Sequence, residues 1–470
     1  MKTELFRAEK HFFRFIQNCR WTAPLGFKGH HIHVPRSHCI HPRDGEKLSF
    51  IKQGAKIASS SLYCAEGAPL RMDLTSIKIV EYSNQRIWLV RAEQGKLFKH
   101  FRDHSVISIG HLDEFYNHTT EQSSAIPSDE VIRQLILTNS KFRDKNAKSP
   151  KLNGSGSKHY NQILHFLRDI KKGDIVLTIS ESSVMFGVCT SANAFFRSRP
   201  LKVINRDGKY SKVELTHRLR KTVSWGPEVR RSAIGGDLKK ALQSRQTVVK
   251  LTTHWRDVLG LIYPFVYDGK RLYFSTHIGR QTDITGKVVG KLFDNLADVQ
   301  VIFDEALKGQ LTDEFIEKLL GDKLPWSSYK LTTKAQFMSP GDVYSSVAIP
   351  DFVSPALALK IVALIFLLNS GVVKASEVDT QLSHDKPAME LYLPDGLVNE
   401  RNLKRSGPEN LDRMLEQFAK RNKPKLEKIN EEKKVAQVRS HLRISIPQHD
   451  TSDLEANSGL KTRTVVDDEN

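Results

Sequence analysis

The chain has 470 residues, too many for a single hydrophobic core, so about two to four domains are expected. Apolar residues make up 39% of it, which excludes wholesale disorder. Lys and Arg outnumber Asp and Glu by 72 to 53, giving a formal net charge of +19 and a pI near 9.6, a balance that favours phosphate backbones or an anionic membrane surface as partners.

The excess is local. From Arg197 to Lys250, fifteen Lys or Arg stand against four Asp or Glu, an electrostatic footprint and not an evenly solvated surface. Cys19, Cys39, Cys64 and Cys189 show no tight pairing pattern, so free thiols in a reducing compartment are expected. The start, Met1 to Arg7, lacks the apolar stretch of a secretory signal, and a cytoplasmic protein is expected.

Residues 1–84 form an N-terminal segment with no assignable fold. Ala8 to Cys19 carries Phe12, Phe13, Phe15 and Ile16, the composition of a short helix. A His-, Pro- and Gly-rich run follows, from His30 to His41. Cys19, His31, His33, Cys39 and His41 are residue types that ligate zinc. They lie in one dense cluster without Cys-x-x-Cys or a second knuckle, so an irregular loop is expected and no metal.

Residues 85–253 are patterned more clearly. Ile87 to Arg91 and Val106 to Gly110 are strands by residue type. Ser128 before Asp129 and Glu130 is a helix cap with an acidic first turn. Lys145 to Lys158, with Pro150, Gly154 and Gly156, predicts a flexible basic loop. Tyr160 to Ile170 sets Ile163, Leu164, Leu167 and Ile170 on one helical face, and Lys171-Lys172-Gly173 ends that helix. Strands from Asp174 to Ile179 and Met185 to Thr190 follow. Val203 to Tyr210 then places an Asp207-Gly208 turn between strand-like arms. Several short strands with two helices predict a small β-barrel capped by helices.

Residues 257–395 predict an α+β effector or docking domain of unassigned type. Phe265 to Phe274 is a hairpin turning at Asp268-Gly269, Val299 to Phe303 is a strand, and Asp313 to Leu320 is a helix. Pro355 to Ser370 is apolar, but as a helix it would span about 24 Å, short of the roughly 30 Å hydrocarbon core of a bilayer. Lys360 interrupts it, and Pro355 and Gly371 bound it, so a buried helix is expected. Residues 396–470 form a charged tail, with 450–470 expected to be disordered.

Several segments of residues 85–253 follow a known order. Trp88, Val90, Arg91 and Ala92 match a strand beginning Trp-x-Val-Arg-Ala. Ile109 and Gly110 match an Ile-Gly-aromatic strand, with His111 where the aromatic is usual. Phe166 to Leu177 matches a helix-Gly-Asp-strand unit. His217, Arg218, Lys221, Val223 and Trp225 match a late basic block, and Arg231-Ser232 and Thr247-Val248 close the series. Over about a third of the chain this resembles the N-terminal module of prokaryotic restriction-like (Mrr-type) defence proteins, related in fold to the EVE and PUA β-barrel readers of nucleic acid. The resemblance implies an EVE/PUA-like β-barrel with capping helices at 85–253; with the unassigned α+β domain at 257–395 and the charged tail, the expected fold class is α+β. The resemblance also implies a cytoplasmic DNA- or RNA-binding protein of a restriction or antiviral defence system, able to read a modified base. Family members commonly carry a nuclease domain behind this module.

An extruded base is held by stacking on aromatic faces, worth about 1–3 kcal/mol, together with hydrogen bonds to its edges. Trp88 and Trp225 could wall such a pocket, and His111 could stack or donate. Arg91, Arg230 and Arg231 could grip flanking phosphates. The competing reading of both indoles is packing in the barrel core. No catalytic residue is assigned. Asp268-Gly269-Lys270 has the spacing of a metal-dependent nuclease, but a hairpin tip explains it; Asp304, Glu305 and Lys308 have the wrong spacing. Neither a phosphate-binding Gly-Lys-Ser/Thr loop nor a Gly-x-Ser-x-Gly elbow is present. No cofactor is expected, and Mg2+ enters only on the alternative that 257–395 is a diverged nuclease. A membrane-acting effector is a further alternative. The expected partner is nucleic acid, DNA ahead of RNA; a protein partner or a homo-oligomer stays open, and a membrane is not expected.

Overall fold

The computed structural model describes residues 74–113, 126–205, 207–308, 311–335, 341–351, 355–373 and 408–465. All of these belong to one compact unit, Pro69–Asn470. The expected helix at 8–19 and the run 30–41, with Cys19, His31, His33, Cys39 and His41, lie outside the described residues.

The strands, in chain order, begin with β1 (Lys78–Glu81), β2 (Ile87–Val90), β3 (Val106–Ile109), β4 (Ile175–Ile179) and β5 (Ser183–Cys189). Next come β6 (Phe195–Phe196), β7 (Leu219–Arg230), β8 (Val248–Lys250), β9 (Phe265–Tyr267) and β10 (Arg271–Ile278). The series ends with β11 (Thr332–Ala335), β12 (Gly341–Ala348), β13 (Ile444–Ser445) and β14 (Lys461–Thr464). One sheet has the order β3-β7-β5-β4-β2-β8, with β6 beside β7, and curls into a half-barrel. The other has the order β11-β12-β10-β9-β1-β14, with β13 beside β10. The architecture is mixed α+β.

Side chains of a strand alternate between its faces, and here both faces are covered, so the central strands read as unbroken apolar runs. Trp88 and Val90 of β2 face the interior of the curled sheet, whereas Ile87 and Leu89 face a second core shared by the two sheets. β4 repeats the pattern, with Val176 on the first side and Ile175 and Leu177 on the other. Val80 of β1 and Val266 of β9 close the shared core. Their neighbours Ile79 and Phe265 enter a third core behind the second sheet.

Helices Gly286–Leu307, Pro355–Asn369 and Pro408–Glu432 contribute to that third core. Pro355–Asn369 is buried from Leu357 onward, Lys360 included. No helix among the described residues is long and apolar enough to cross a membrane.

The Ser128 cap is present: its Oγ accepts a 3.4 Å bond from the Val131 N–H at the start of helix Asp129–Thr138. The Asp268-Gly269 turn joins β9 to β10, with Gly269 at φ +92°. Three local expectations differ from the structure. Val299 to Phe303 is not a strand but part of helix Gly286–Leu307; those side chains are buried, and tertiary packing overrides the β-preference of a Val/Ile run. The basic stretch 145–158 turns helical at Gly154, because Asn153 Oδ1 caps the helix with a 2.8 Å bond from the Gly156 N–H. Ser452–Ser458 is a helix and β14 pairs antiparallel with β1, where disorder was expected. Leu454 and Leu460 anchor this polar segment in the shared core, and the edge of β1 supplies its hydrogen bonds.

Candidate nucleic-acid interface

Trp88 is only 1% exposed. Its Nε1 donates a 3.0 Å bond to Asp174 Oδ2, and its ring lies 5.6 Å from that of His165. Asp174 also accepts from Arg86 Nε at 3.0 Å and from the Lys171 N–H at 2.9 Å, so the indole is one of three donors fixing this carboxylate. Trp225 is half-buried, packs against the same core, and donates a 2.7 Å bond from Nε1 to the Phe101 carbonyl. A base would need a free indole face; the Trp88 faces are taken by the core.

Arg91 is half-buried and donates from Nη2 to the Leu242 carbonyl. Burial first, and the nearby Arg231 charge second, lower its pKa. Arg231, also half-buried, donates a 3.1 Å bond from Nη1 to the Ser180 carbonyl. His111 lies 4.5 Å from the His159 ring, and burial, then His159 and His217, press its pKa down to about 3. It is neutral at neutral pH and cannot serve as a cation for phosphate. Of the six expected contact residues only Arg230 is exposed.

The structure joins residues to which the sequence assigned no role. His217, 9% exposed, is held between Ser108 and Glu93. Its Nδ1 lies 3.1 Å from Ser108 Oγ and its Nε2 lies 2.7 Å from Glu93 Oε1. Gly110 makes room for this ring, since a Cβ there would stand 2.8 Å from His217 Cδ2. Asp113 accepts a 3.2 Å bond from the Arg218 N–H, and burial raises its pKa. A hydroxyl–imidazole–carboxylate chain suggests a hydrolase relay. Here the hydroxyl end is fully buried and the exposed end is the carboxylate, so no nucleophile faces solvent. The chain fixes the turn after β3 against the start of β7.

The basic block of β7 is likewise partly internal. Lys221 is fully buried and donates to the Ile170 carbonyl, and burial lowers its pKa. Arg220, 2% exposed, donates a 2.7 Å bond to the His217 carbonyl and a 3.0 Å bond to the Arg199 carbonyl. The Gly187 position on β5 passes so close to β7 that a Cβ would stand 2.5 Å from the Trp225 ring and 2.8 Å from the Ser224 carbonyl.

Much of the positive charge nevertheless reaches solvent. Arg197, Arg199, Lys202, Lys209, Lys212, Arg230, Lys239, Lys240, Arg245 and Lys250 are all exposed. Lys202 pairs with Glu214 at 2.9 Å and Lys240 with Asp237 at 3.4 Å, surface pairs that are worth little. Residues 85–253 hold thirty Lys or Arg against fifteen Asp or Glu, whereas residues 257–395 hold thirteen against eighteen.

The nuclease-like spacing at Asp268-Gly269-Lys270 is turn chemistry, as the hairpin reading expects. Asp268 Oδ1 accepts from the Lys270 and Arg271 N–H groups at 3.0 and 2.8 Å, and Oδ2 accepts from the Tyr273 hydroxyl at 2.9 Å. Among the described residues no three His, Cys, Asp or Glu side chains are grouped to hold a metal ion. No family model, curated protein or solved structure matches the chain.

Proposed function

We propose that this chain binds nucleic acid through the cationic outer surface of its curled-sheet half, residues 85–253, acting as an EVE/PUA-like module. The observation that carries the reading is the division of charge: that half holds twice as many Lys and Arg as Asp and Glu, and its exposed cations crowd the span 197–250, while residues 257–395 carry an acidic excess. Phosphate contacts of this kind supply affinity without sequence information. Trp88, a core residue, does not wall a base pocket on this surface. A cytoplasmic role in restriction-like defence, with DNA ahead of RNA, is the setting that the motif resemblance implies.

The test is equilibrium binding of the full chain to labelled single- and double-stranded oligonucleotides across a salt series. Log affinity should fall linearly with log salt, with a duplex slope of about 0.9 per phosphate neutralised. Absence of binding at low ionic strength, or affinity indifferent to salt, would overturn the reading.

A further inference from the structure

The arms 201–205 and 207–215 form a hairpin that carries apolar side chains out into solvent. Leu201 and Leu215 pair at its base and pack into the core of the curled sheet. Farther out, Ile204 and Tyr210 pair directly across the arms, so their side chains share one face. Tyr210 is 65% exposed, Ile204 55% and Val213 40%. None of the three belongs to a core cluster.

Single exposed apolar residues are ordinary. Here three lie within ten residues, interleaved with the exposed Lys202, Lys209 and Lys212. The hairpin is also held in place. His104 Nε2 and His100 Nε2 each lie 2.9 Å from a hairpin carbonyl, those of Lys202 and Val213, and Lys99 Nζ donates to the Ile204 carbonyl. The Asp207-Gly208 turn closes with Gly208 at φ +77°, a conformation glycine accepts without strain. An aromatic ring on a braced arm, flanked by cations, is the arrangement that engages unpaired bases: the ring stacks and the ammonium groups meet the phosphates.

We infer that this hairpin is the base-contacting element of the protein and that its ligand is single-stranded nucleic acid. Tyr210 stacks on one base, Ile204 supports the adjoining one, and Lys209 and Lys212 neutralise the neighbouring phosphates. This rests on the nucleic-acid reading above and assigns it an element and a strand state.

The experiment measures binding of the full chain to a labelled single strand and to the matching duplex over a salt series. The variants are Tyr210→Ala, Tyr210→Phe, Ile204→Ala and the pair Lys209→Ala with Lys212→Ala. Tyr210→Ala should weaken single-strand binding about tenfold with an unchanged salt slope, and Tyr210→Phe should restore it. The lysine pair should lower the slope by about 0.7 per residue. If the wild type binds with a normal salt slope while both Tyr210→Ala and Ile204→Ala match it, the hairpin assignment is wrong and the nucleic-acid reading stands. If duplex binding suffers as much as single-strand binding, the strand preference is wrong. No binding by the wild type overturns both inferences.

Discussion

The two sheets close their cores by different means. Inside the curled sheet polar groups are buried among the apolar ones, and named partners hold them: Asp174 by Trp88, Arg86 and Lys171, His217 by Ser108 and Glu93, Lys221 by the Ile170 carbonyl. Behind the second sheet the core is filled by the helix Pro355–Asn369, almost wholly Leu, Ile, Val, Ala and Phe. A buried polar group demands a partner of given type and place. Apolar volume can be filled in many ways. The buried polar groups of the first sheet therefore leave an ordered series of motifs in its sequence, whereas the apolar helix behind the second leaves none.

The hardest blow to that comparison would come from Trp88. Trp88→Ala should destabilise the protein by about 3–5 kcal/mol through the cavity alone, and should also remove one of the donors to Asp174. Phe366→Ala, whose ring lies 4.4 Å from Phe274 and 5.5 Å from Phe265, should cost about as much with no polar component. Trp88→Phe separates the two contributions, because it keeps most of the volume and forfeits the hydrogen bond. Denaturant unfolding of the three variants measures this. A Trp88→Ala protein with wild-type stability and impaired nucleic-acid binding would restore the indole as a contact residue and end the core assignment.

Two glycines sharpen the same contrast. Gly187→Ala forces a methyl group against the Trp225 ring and the Ser224 carbonyl, and should cost about 1–3 kcal/mol. Gly290→Ala lies within helix Gly286–Leu307, with nothing within 4 Å of the added methyl, and should stabilise by about 0.5–1 kcal/mol. Thermal unfolding shifts of the same sign in both variants would contradict the close approach of β5 to β7.

Acidity should act on the two halves in opposite directions. His111 has its folded pKa pressed to about 3, below its unfolded value near 6.5. Its contribution is complete above pH 6.5 and is lost as pH falls toward 3, by about 1–2 kcal/mol after solvent screening. Asp298, 2% exposed and paired with Lys433, has its pKa raised by burial to about 6. The protonated form is favoured in the fold, so its contribution is present below its unfolded value near 3.8 and is lost as pH rises through 6. Unfolding midpoints of His111→Gln and Asp298→Asn between pH 3 and 7 should lose opposite slopes; parallel profiles would refute one of the two environments.

How much was legible in the sequence follows from the same physics. Trp88, Gly110, Gly173-Asp174, His217 and Lys221 were visible as an ordered series, and each proves to fix a backbone or a buried charge. Their fixed spacing marked structure, and the sequence alone could not separate this from a ligand pocket: a Trp that caps a buried Asp and a Trp that stacks on a base have the same letter. The Asp207-Gly208 turn was legible because its φ requirement is local. The outward aim of Tyr210 was not, because it depends on the His100 and His104 contacts from a hundred residues away. Val299 to Phe303 misled because a helix buried on most sides loses the amphipathic period on which helix recognition relies.

The smallest expected effect separates two neighbours. Arg230 is exposed at the end of β7, while Arg231 beside it is half-buried and donates to the Ser180 carbonyl. Arg230→Ala should leave stability within about 0.5 kcal/mol of wild type and lower the salt slope of duplex binding by about 0.9. Arg231→Ala should cost about 1 kcal/mol, the worth of a partly buried hydrogen bond, with little change in slope. The two substitutions remove the same charge one residue apart, so net charge cannot explain a difference between them. If both change the slope equally, the cationic surface acts as a diffuse field; if only Arg230→Ala does, a phosphate sits at that point of the surface, and the two neighbouring arginines have separate tasks.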